Sequence, residues 1–262
     1  MPSTGNRSVV AGSWVLTPGL CARRRGLSTR ALTQNAHAPL DRARSRAVSV
    51  RAMSTDPIAF FLDTLPELFT RGVVALAASP EAQSRLADVR AARGGVQLVL
   101  EGEGGGEVYL AVDGGVMKGQ RARPELPVRF CIAVPVEALR GGLELLEESG
   151  SLTHADAPLR VAGLASGKTE KLVDKEKLAF HVILKNVPEL DSVTIRIGIG
   201  VDGPPEKPGF TVTVDYDDLE EVRAGQLTPQ QLFMSKLKIV GDASRALALA
   251  MTLMQQQQRP RR

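Results

Sequence analysis

Few residues in this chain have the type and spacing that catalysis or metal binding requires. His37, His154 and His181 are its three histidines, and none has a second histidine three or four residues away, as two metal ligands on one helical turn would have. Cys131 has no histidine near it in the sequence, which argues against a cysteine–histidine nucleophile and leaves open only a catalytic pair brought together in space. The acids between residues 215 and 221 are typical of the start and solvent face of a helix, where carboxylates oppose the helix dipole. The sequence therefore predicts a protein that is not an enzyme and uses no metal or cofactor.

Residues 162–169 (AGLASGKT) have the composition of a phosphate-binding loop. The segment follows a predicted strand and opens a predicted helix, which would place Lys168 on phosphate, Thr169 on magnesium and Asp215 as the acid on the magnesium side. Fewer than 100 residues follow this segment, too few for the parallel sheet of a nucleotide triphosphatase. We keep nucleotide binding as the weakest alternative.

Residues 198–203 (GIGVDG) have the glycine spacing of a dinucleotide-binding fingerprint after a strand. That fingerprint requires a helix N-terminus next, because the helix binds the pyrophosphate. Pro204 and Pro205 follow instead, and we interpret the segment as a hairpin turn.

The charge of the chain is unevenly distributed. Its 262 residues carry a net charge of +4, but residues 1–52 contain nine arginines and one acid, whereas residues 53–262 contain 24 basic and 28 acidic residues. The larger part is therefore acidic, and with 4% aromatic residues in the chain it has no stacking platform for single strands, so nucleic acid is not an expected partner. No run of about 18 apolar residues is present, so no membrane-spanning helix is predicted.

Residues 1–52 are predicted to form a disordered leader outside the fold. They are rich in Arg, Ser and Ala, nearly free of acids, and show no apolar period of a helix or a strand. This composition is typical of an organelle transit peptide, which would place the protein in an organelle matrix. The alternative that we favour is a mis-assigned start, with Met53 as the first residue of a cytoplasmic protein. Residues 257–262 are interpreted as a basic tail.

From residue 56 onwards the apolar residues follow helical and strand spacing in turn. We predict two N-terminal helices: one over 58–78, interrupted at Pro66 and Gly72, and one from Ser79 to about Arg93, ended by Gly94 and Gly95. Three strands follow, at 96–100, 108–112 and 130–134. After them we predict a helix from 135 to about 148, a short strand at 159–161 and a polar helix near 166–178. The glycine-rich segment 101–107 is the predicted hairpin turn between the first two strands.

From Phe180 the same order of elements begins again, which indicates an internal repeat. Matching apolar positions keep a nearly constant separation: Val96, Leu98 and Leu100 match Phe180, Val182 and Leu184; Val108, Leu110 and Val112 match Val193, Ile195 and Ile197; Phe130, Ile132, Val134 and Leu139 match Phe210, Val212, Val214 and Leu219; Leu159, Val161 and Gly163 match Leu237, Ile239 and Gly241. We interpret the chain as two fused copies, over residues 56–178 and 179–256. Two unrelated meanders of alternating strands are the simpler alternative.

The two copies differ in their helices. The second copy lacks long N-terminal helices, since only 16 residues separate Gly163 from Phe180. Its last helix, near 243–254, is apolar over more than one face, which is more than a surface helix needs. We therefore expect the copies to share elements in one body.

Residues 210–254 closely resemble the sterol carrier protein type 2 family. The resemblance is carried by a strand, an acidic helix start at Asp217-Asp218-Leu219, Gly225 and Pro229 before a helix, the segment Met234–Asp242 (MSKLKIVGD) and an apolar helix over 243–254. The family commonly has a glycine between the positions of Ser235 and Lys236, which this sequence lacks. A looser resemblance extends over 180–254.

This resemblance implies an α+β fold in which helices cover a mostly antiparallel sheet, with an apolar tunnel between them for acyl chains, sterols or similar lipids. It implies non-catalytic binding or transfer of a lipid without a cofactor. By position, the ligand-binding lining would be Phe210, Val212, Val214, Leu219, Leu232, Phe233, Met234, Leu237, Ile239, Leu249, Ala250 and Leu253. The second copy lacks N-terminal helices that would close its tunnel. Two alternatives are therefore kept: the tunnel is collapsed, or it is shared between the copies.

The expected partners are a lipid or other apolar small molecule, and transiently a membrane or an enzyme. An accessory or interaction subunit for a lipid-modifying enzyme is the second functional hypothesis, because related domains occur as appendages of enzymes. Nucleotide binding at residues 162–169 is the third.

Overall fold

The computed structural model describes residues 56–174 and 176–258. The predicted leader 1–52 lies outside the described residues, as does the predicted tail beyond residue 258. A π-helical turn (Phe60–Thr64) joins the first two helices, and a 3-10 turn (Pro80–Ala82) precedes the third. The helices are α1 (Pro57–Ala59), α2 (Leu65–Ala78), α3 (Gln83–Ala91), α4 (Val136–Glu148), α5 (Ala157–Ala162), α6 (Gly167–Val173), α7 (Tyr216–Arg223), α8 (Pro229–Ser235) and α9 (Ala243–Gln258). The strands are β1 (Arg93–Glu101), β2 (Gly106–Asp113), β3 (Val116–Gln120), β4 (Val128–Pro135), β5 (Leu178–Val187), β6 (Asp191–Ile199), β7 (Phe210–Asp215) and β8 (Lys238–Gly241).

The strands of the described ranges form one eight-stranded sheet in the order β3-β2-β1-β4-β6-β5-β7-β8. Five of the strand pairings in this sheet are antiparallel, and two, β1–β4 and β5–β7, are parallel. Helices pack against the apolar side of the sheet. The predicted class, an α+β fold with a mostly antiparallel sheet covered by helices, is confirmed.

The sheet consists of two halves with the same pairing scheme. In each half a hairpin is followed by a strand that returns parallel to the first, giving β2-β1-β4 and β6-β5-β7. The parallel registers agree: Val96 lies opposite Phe130, and Phe180 lies opposite Phe210. The two halves are joined by antiparallel pairing of β4 with β6.

The hairpins of the two halves differ in register by two residues. Val96 lies opposite Leu110, whereas Phe180 lies opposite Ile197, the residue that the sequence pattern matched with Val112. A shift of two residues keeps every side chain on its own face, because side chains alternate along a strand with a period of two. The apolar face is therefore continuous across the joint between β4 and β6.

Two edge elements differ from their predictions. Strand β3 was not predicted, and the predicted strand at 159–161 is wrong because these residues belong to helix α5. Competition for sheet edges explains the second difference. In the C-terminal half, β8 pairs with the outer edge of β7, but the equivalent edge of β4 is already occupied by β6. Residues 159–161 therefore have no edge to join.

Two glycine-containing segments also differ from their predictions. Gly94 and Gly95 do not end the preceding helix but lie inside β1. Residues 198–203 are not a hairpin turn, because β6 and β7 are separated by β5 in the sheet. The chain leaves β6 at the end where β5 and β7 begin, and crosses over the start of β5, where the Gly209 N–H donates to the carbonyl of Ala179 at 2.7 Å.

The N-terminal helical segment is continuous where two breaks were predicted. The π-helical turn precedes Pro66, so that Leu65 N–H bonds to the carbonyl of Phe60, and Pro66 takes an early position in α2 where its missing N–H is tolerated. Gly72 does not interrupt α2. It provides the close approach to α5, since a Cβ atom at Gly72 would lie 1.9 Å from the carbonyl oxygen of Pro158.

The largest hydrophobic cluster lies under the N-terminal half of the sheet. It joins α1–α5 to the apolar side of β1, β2 and β4, with Phe69, Val89 and Val108 among its least exposed side chains. Two smaller clusters lie under the C-terminal half, one around Phe180 and Phe210 and the other around Leu184 and Val214.

The helices of the described residues include none long and apolar enough to cross a membrane.

We predict that Gly72→Ala destabilises the protein by about 1–3 kcal/mol, because the new methyl group overlaps Pro158 and forces α2 away from α5. The matched control is Gly141→Ala in α4, where a Cβ atom meets nothing within 4 Å. At that position only the higher helix propensity of alanine acts, and the free energy of unfolding is expected to rise by about 0.5–1 kcal/mol. Urea denaturation of both variants measures the difference, and equal gains at the two positions would contradict the close approach.

Candidate functional site

An apolar cavity of about 470 Å³ lies between the sheet and the helices at the joint of the two halves. Its volume is within the range of roughly 300–1,000 Å³ that is usual for small-molecule sites. Both halves of the sheet contribute to its wall, through β1, β2 and β4 on one side of the joint and β5 and β6 on the other. The apolar wall is formed by Val96, Leu98, Leu110, Val112, Phe130, Ile132, Leu178, Phe180, Ile197 and Ile199.

The strand register explains why these side chains face the same space. Across the joint, Phe130 lies opposite Ile199 and Ile132 lies opposite Ile197, so the alternating apolar side chains of both strands share one face. Phe180 lies opposite Ile197 on the next strand. Its ring stacks on that of Phe210, its partner on β7, with a centroid distance of 4.9 Å, which supports the wall from the side.

The helical side of the cavity comes from three separate parts of the chain. Phe61 in the π-helical turn and Leu65 in α2 form one part, and the segment Leu164–Val173 around α6 contributes another. Helix α9 contributes Arg245 and Ala248. Leu164 is 43% exposed although it lines the cavity, which places it at the opening to solvent.

The cavity has a polar end beside the start of β4. Arg129 lines the cavity and forms an ion pair with Asp174 at the end of α6. Glu170 lies next to it and accepts a hydrogen bond of 2.6 Å from the backbone N–H of Arg93. The cavity wall is thus mostly apolar, and Arg129 and Glu170 place charged groups at this end of it.

The residues predicted to line a tunnel lie in other surroundings. Phe210, Val214 and Leu219 are buried, Val212, Leu232, Phe233, Leu237, Ile239 and Ala250 are half-buried, and Met234 is 73% exposed. The side chains of Leu249 and Leu253 lie outside the described part of the chain. None of the ten described side chains borders the cavity.

Two clusters account for the buried members of that predicted set. Phe210, Val212 and Ile239 pack with Phe180 on the next strands of the sheet, beside the cavity wall. Val214, Leu219, Leu232 and Leu237 pack with Leu184 and Val193, where they hold α7 and α8 against the C-terminal half of the sheet. The predicted lining therefore does not coincide with this cavity.

The loop-like motif at 162–169 lacks the geometry of a phosphate site. It follows α5 and not a strand, and α6 behind it has seven residues. Asp88 occupies its polar groups: the carboxylate accepts a hydrogen bond of 3.1 Å from the Lys168 N–H and one of 2.8 Å from the Ser166 hydroxyl. Asp215, the predicted magnesium-side acid, caps α7 through the N–H of Asp217.

The candidate catalytic residues also have structural partners. His154 contacts Asp156, and His181 Nε2 lies 3.0 Å from the carbonyl of Pro205. Asp218 in the acidic segment forms an ion pair of 2.9 Å with Lys236. The described residues contain no group of three or more histidine, cysteine or acidic side chains that could hold a metal ion.

Two of the cavity residues that the predicted lining missed are Met117 and Arg129. Met117 on β3 lines the cavity, and the turn Asp113-Gly114-Gly115 was the available signal, because Asp-Gly is a strong hairpin indicator. No feature of the sequence identifies Arg129 as a cavity residue, because its position depends on an irregularity in the pairing of β1 with β4 that the local sequence does not show.

The C-terminal part of the chain is similar to a known protein family. Residues 162–254 match the SCP-2 sterol transfer family. This range begins at the end of α5 and includes α6, β5–β8, α7, α8 and most of α9. It confirms the predicted family resemblance for this part of the chain, which supplies β5, β6, α6 and α9 to the cavity.

The comparisons with curated proteins and with solved structures add little to this family match. No curated protein matches the chain. Among solved structures, the solution structure of the sterol carrier protein domain 2 of Helicoverpa armigera is 22% identical, with 44% of this chain and 81% of that chain covered and a TM-score of 0.22.

We predict that Cys131 is unreactive in the folded protein. Burial raises the pKa of its thiol, and the Sγ atom lies 3.4 Å from the carbonyl of Val201. A raised thiol pKa lowers the thiolate fraction at about pH 8, and the thiolate is the reactive form. Peptide-resolved mass spectrometry is expected to show alkylation by iodoacetamide at least about tenfold slower in buffer than in denaturing urea. Equal rates in the two conditions would contradict the burial.

Proposed function

We propose that the protein binds and transfers a lipid or similar apolar ligand without catalysing a reaction, and that the ligand occupies the cavity at the joint of the two halves. The carrying observation is that an apolar space of about 470 Å³ is enclosed in part by the segment that matches the SCP-2 sterol transfer family. A ligand in this space would replace water along some ten apolar side chains, and burial of apolar area is the main source of affinity for such ligands. No cofactor is part of the proposal.

We propose further that the ligand site is shared between two fused copies, residues 56–178 and 179–256. Support comes from the identical pairing scheme of the two halves of the sheet. The cavity wall supports it too, because it draws on strands of both halves. Helix α2 and the π-helical turn then cover the site for both copies, and the second copy needs no N-terminal helices of its own.

The twelve residues predicted to line a tunnel remain a separate proposal. Those packed beside Phe180 would shape the cavity indirectly, whereas a lipid between α8 and the sheet would contact Leu232 and Leu237 directly. Substitution at Leu237 distinguishes the two sites.

A transient membrane or enzyme partner is proposed for loading and delivery. Met234, Val240, Leu247 and Met251 are exposed apolar side chains on α8, β8 and α9, and apolar exposure of this kind is typical of interaction surfaces. The same residues favour the second candidate function, an accessory subunit for a lipid-modifying enzyme. The cytoplasm is the proposed location, with an organelle matrix as the alternative.

We predict that Ile197→Trp abolishes lipid uptake. Ile197 faces the cavity at the joint, and an indole there occupies part of the space that the ligand requires. The matched control is Ile183→Trp, on the neighbouring strand, because Ile183 alternates with Val182 and Leu184 and lies on the opposite face of the sheet. Native mass spectrometry after incubation with phosphatidylcholine vesicles that contain hexadecanol, hexadecanoic acid or cholesterol measures the bound fraction.

The expected result is uptake reduced at least about tenfold in Ile197→Trp and unchanged in Ile183→Trp, with both variants folded by circular dichroism. Leu237→Trp is the third variant. Loss of uptake in Leu237→Trp with full uptake in Ile197→Trp would move the site to the predicted tunnel lining. No uptake of any of the three lipids by the unaltered protein would refute lipid binding.

A further inference from the structure

Arg129 occupies an irregular position in the pairing of β1 with β4. Gly95 lies opposite Val128 and the next residue, Val96, lies opposite Phe130, so Arg129 has no partner residue on β1. This is a β-bulge with the extra residue on β4. Its carbonyl accepts a hydrogen bond of 2.8 Å from the N–H of Gly200, in the loop that leaves β6.

The bulge changes the direction of the Arg129 side chain. In regular alternation Arg129 would point away from the face that carries Phe130, whereas here both residues line the apolar cavity. Bulges commonly redirect one side chain in this way beside functional sites. Gly94 leaves room for the guanidinium, since a Cβ atom at Gly94 would lie 2.9 Å from Arg129 Nε.

Arg129 also borders a second, more polar space. A groove of about 210 Å³ lies between the start of β4, the end of α6 and residues 200–202. Arg129 and Val173 line both the groove and the apolar cavity, so they form the boundary between them. At this boundary a molecule with its apolar body in the cavity can place a polar end next to Arg129.

The guanidinium has one donor group in need of an acceptor. Its charge is compensated by the ion pair with Asp174. Its Nε atom is buried and has no hydrogen-bond partner within the described ranges. A buried N–H without a partner is costly, and an acceptor on a bound ligand removes that cost.

The surrounding charges favour a neutral acceptor over an anion. The cavity and the groove together are lined by two arginines, Arg129 and Arg245, and by four carboxylates, Glu170, Asp174, Glu176 and Asp202. Asp202 is compensated by an ion pair of 2.9 Å with Arg123, which leaves two arginines facing three carboxylates. A carboxylate or phosphate at Arg129 would compete with Asp174 and be repelled by Glu170. A hydroxyl or carbonyl oxygen accepts the Nε–H bond without either penalty.

We infer that Arg129 anchors the polar end of the ligand, and that the ligand is a neutral lipid whose polar end is a hydroxyl or a carbonyl oxygen. This inference rests on the proposed lipid-binding function. It assigns Arg129 a specificity-determining role: the apolar wall sets the size of the lipid body, and Arg129 with its acidic neighbours selects against anionic head groups.

The test compares three C16 probes that differ only at one end: hexadecanol, hexadecanoate and hexadecane. Each is offered as a trace component of phosphatidylcholine vesicles to the full chain and to Arg129→Met, and the transferred amount is counted. For each probe, the uptake by the variant is divided by the uptake by the unaltered protein. This ratio does not depend on how strongly the probe partitions into the vesicles, because the same vesicles are used for both proteins. Arg140→Met is the matched control, because Arg140 is an exposed arginine on α4 that does not line the cavity.

In Arg129→Met, the uptake ratio for hexadecanol is expected to be at least about fivefold lower than the uptake ratio for hexadecane. In Arg140→Met, the ratios for all three probes are expected to be unchanged. A larger loss for hexadecanoate than for hexadecanol would overturn the inference, because Arg129 would then be a carboxylate site. Equal ratios for all three probes would also overturn it. Failure of the unaltered protein to take up any probe would instead refute lipid binding itself.

A second variant gives a gain of function that misfolding cannot produce. Asp174→Asn removes the anion that compensates Arg129 and leaves the guanidinium in place. Uptake of hexadecanoate relative to hexadecanol is then expected to rise at least about threefold. An unchanged ratio would contradict the role assigned to the charge balance.

Discussion

The antiparallel pairing of β4 with β6 is the interaction on which the rest of the structure depends. It joins two three-stranded units into one sheet and aligns their apolar faces, with Phe130 opposite Ile199 and Ile132 opposite Ile197. The resulting face extends across the joint, and a single set of N-terminal helices covers only part of it. The space that is left over becomes the cavity.

The pairing of β4 with β6 also determines which secondary structure forms in segments far from it. Once β6 occupies the edge of β4, the segment at 159–161 has no strand to pair with and folds as α5, which packs on α2 at Gly72. Strands β3 and β8 are left to close the two outer edges of the sheet. The polar end of the cavity follows from the same joint, because the loop after β6 holds the carbonyl of Arg129 in the bulge.

Much of the sheet could be predicted from local pattern. Alternating apolar residues identified eight strand segments, of which seven are strands. The positions matched between the copies occupy equivalent places in the two parallel pairs, with Val96 opposite Phe130 and Phe180 opposite Phe210, although parallel pairing itself was not predicted. The element at 159–161 was wrong because its apolar pattern fits a strand, and the competition for an edge is a long-range effect that no local pattern contains. The breaks predicted at Pro66 and Gly72 were wrong for a similar reason: the propensity of each residue was overridden by a π-helical turn and a helix contact.

The candidate site was less accessible to sequence reasoning than the fold. The family resemblance directed attention to residues 210–254, whereas the cavity lies where that part of the chain meets the other half. Its lining is assembled from ten elements, counting the π-helical turn, and from a bulge in β4. The composition of each element alone does not indicate that it belongs to a site. The expectation of a tunnel shared between the copies agrees with the position of this cavity, and its occupation by a ligand stays a prediction.

Photolabelling with a hexadecanol that carries a diazirine on its chain tests the central claim most directly, because it reports the place of the ligand without any substitution. After transfer from vesicles and irradiation, peptide mapping by mass spectrometry locates the adducts. A ligand at the joint predicts adducts on peptides that contain Phe130–Ile132 and Ile197–Ile199. Adducts confined to residues 232–239, in α8 and β8, would contradict the account.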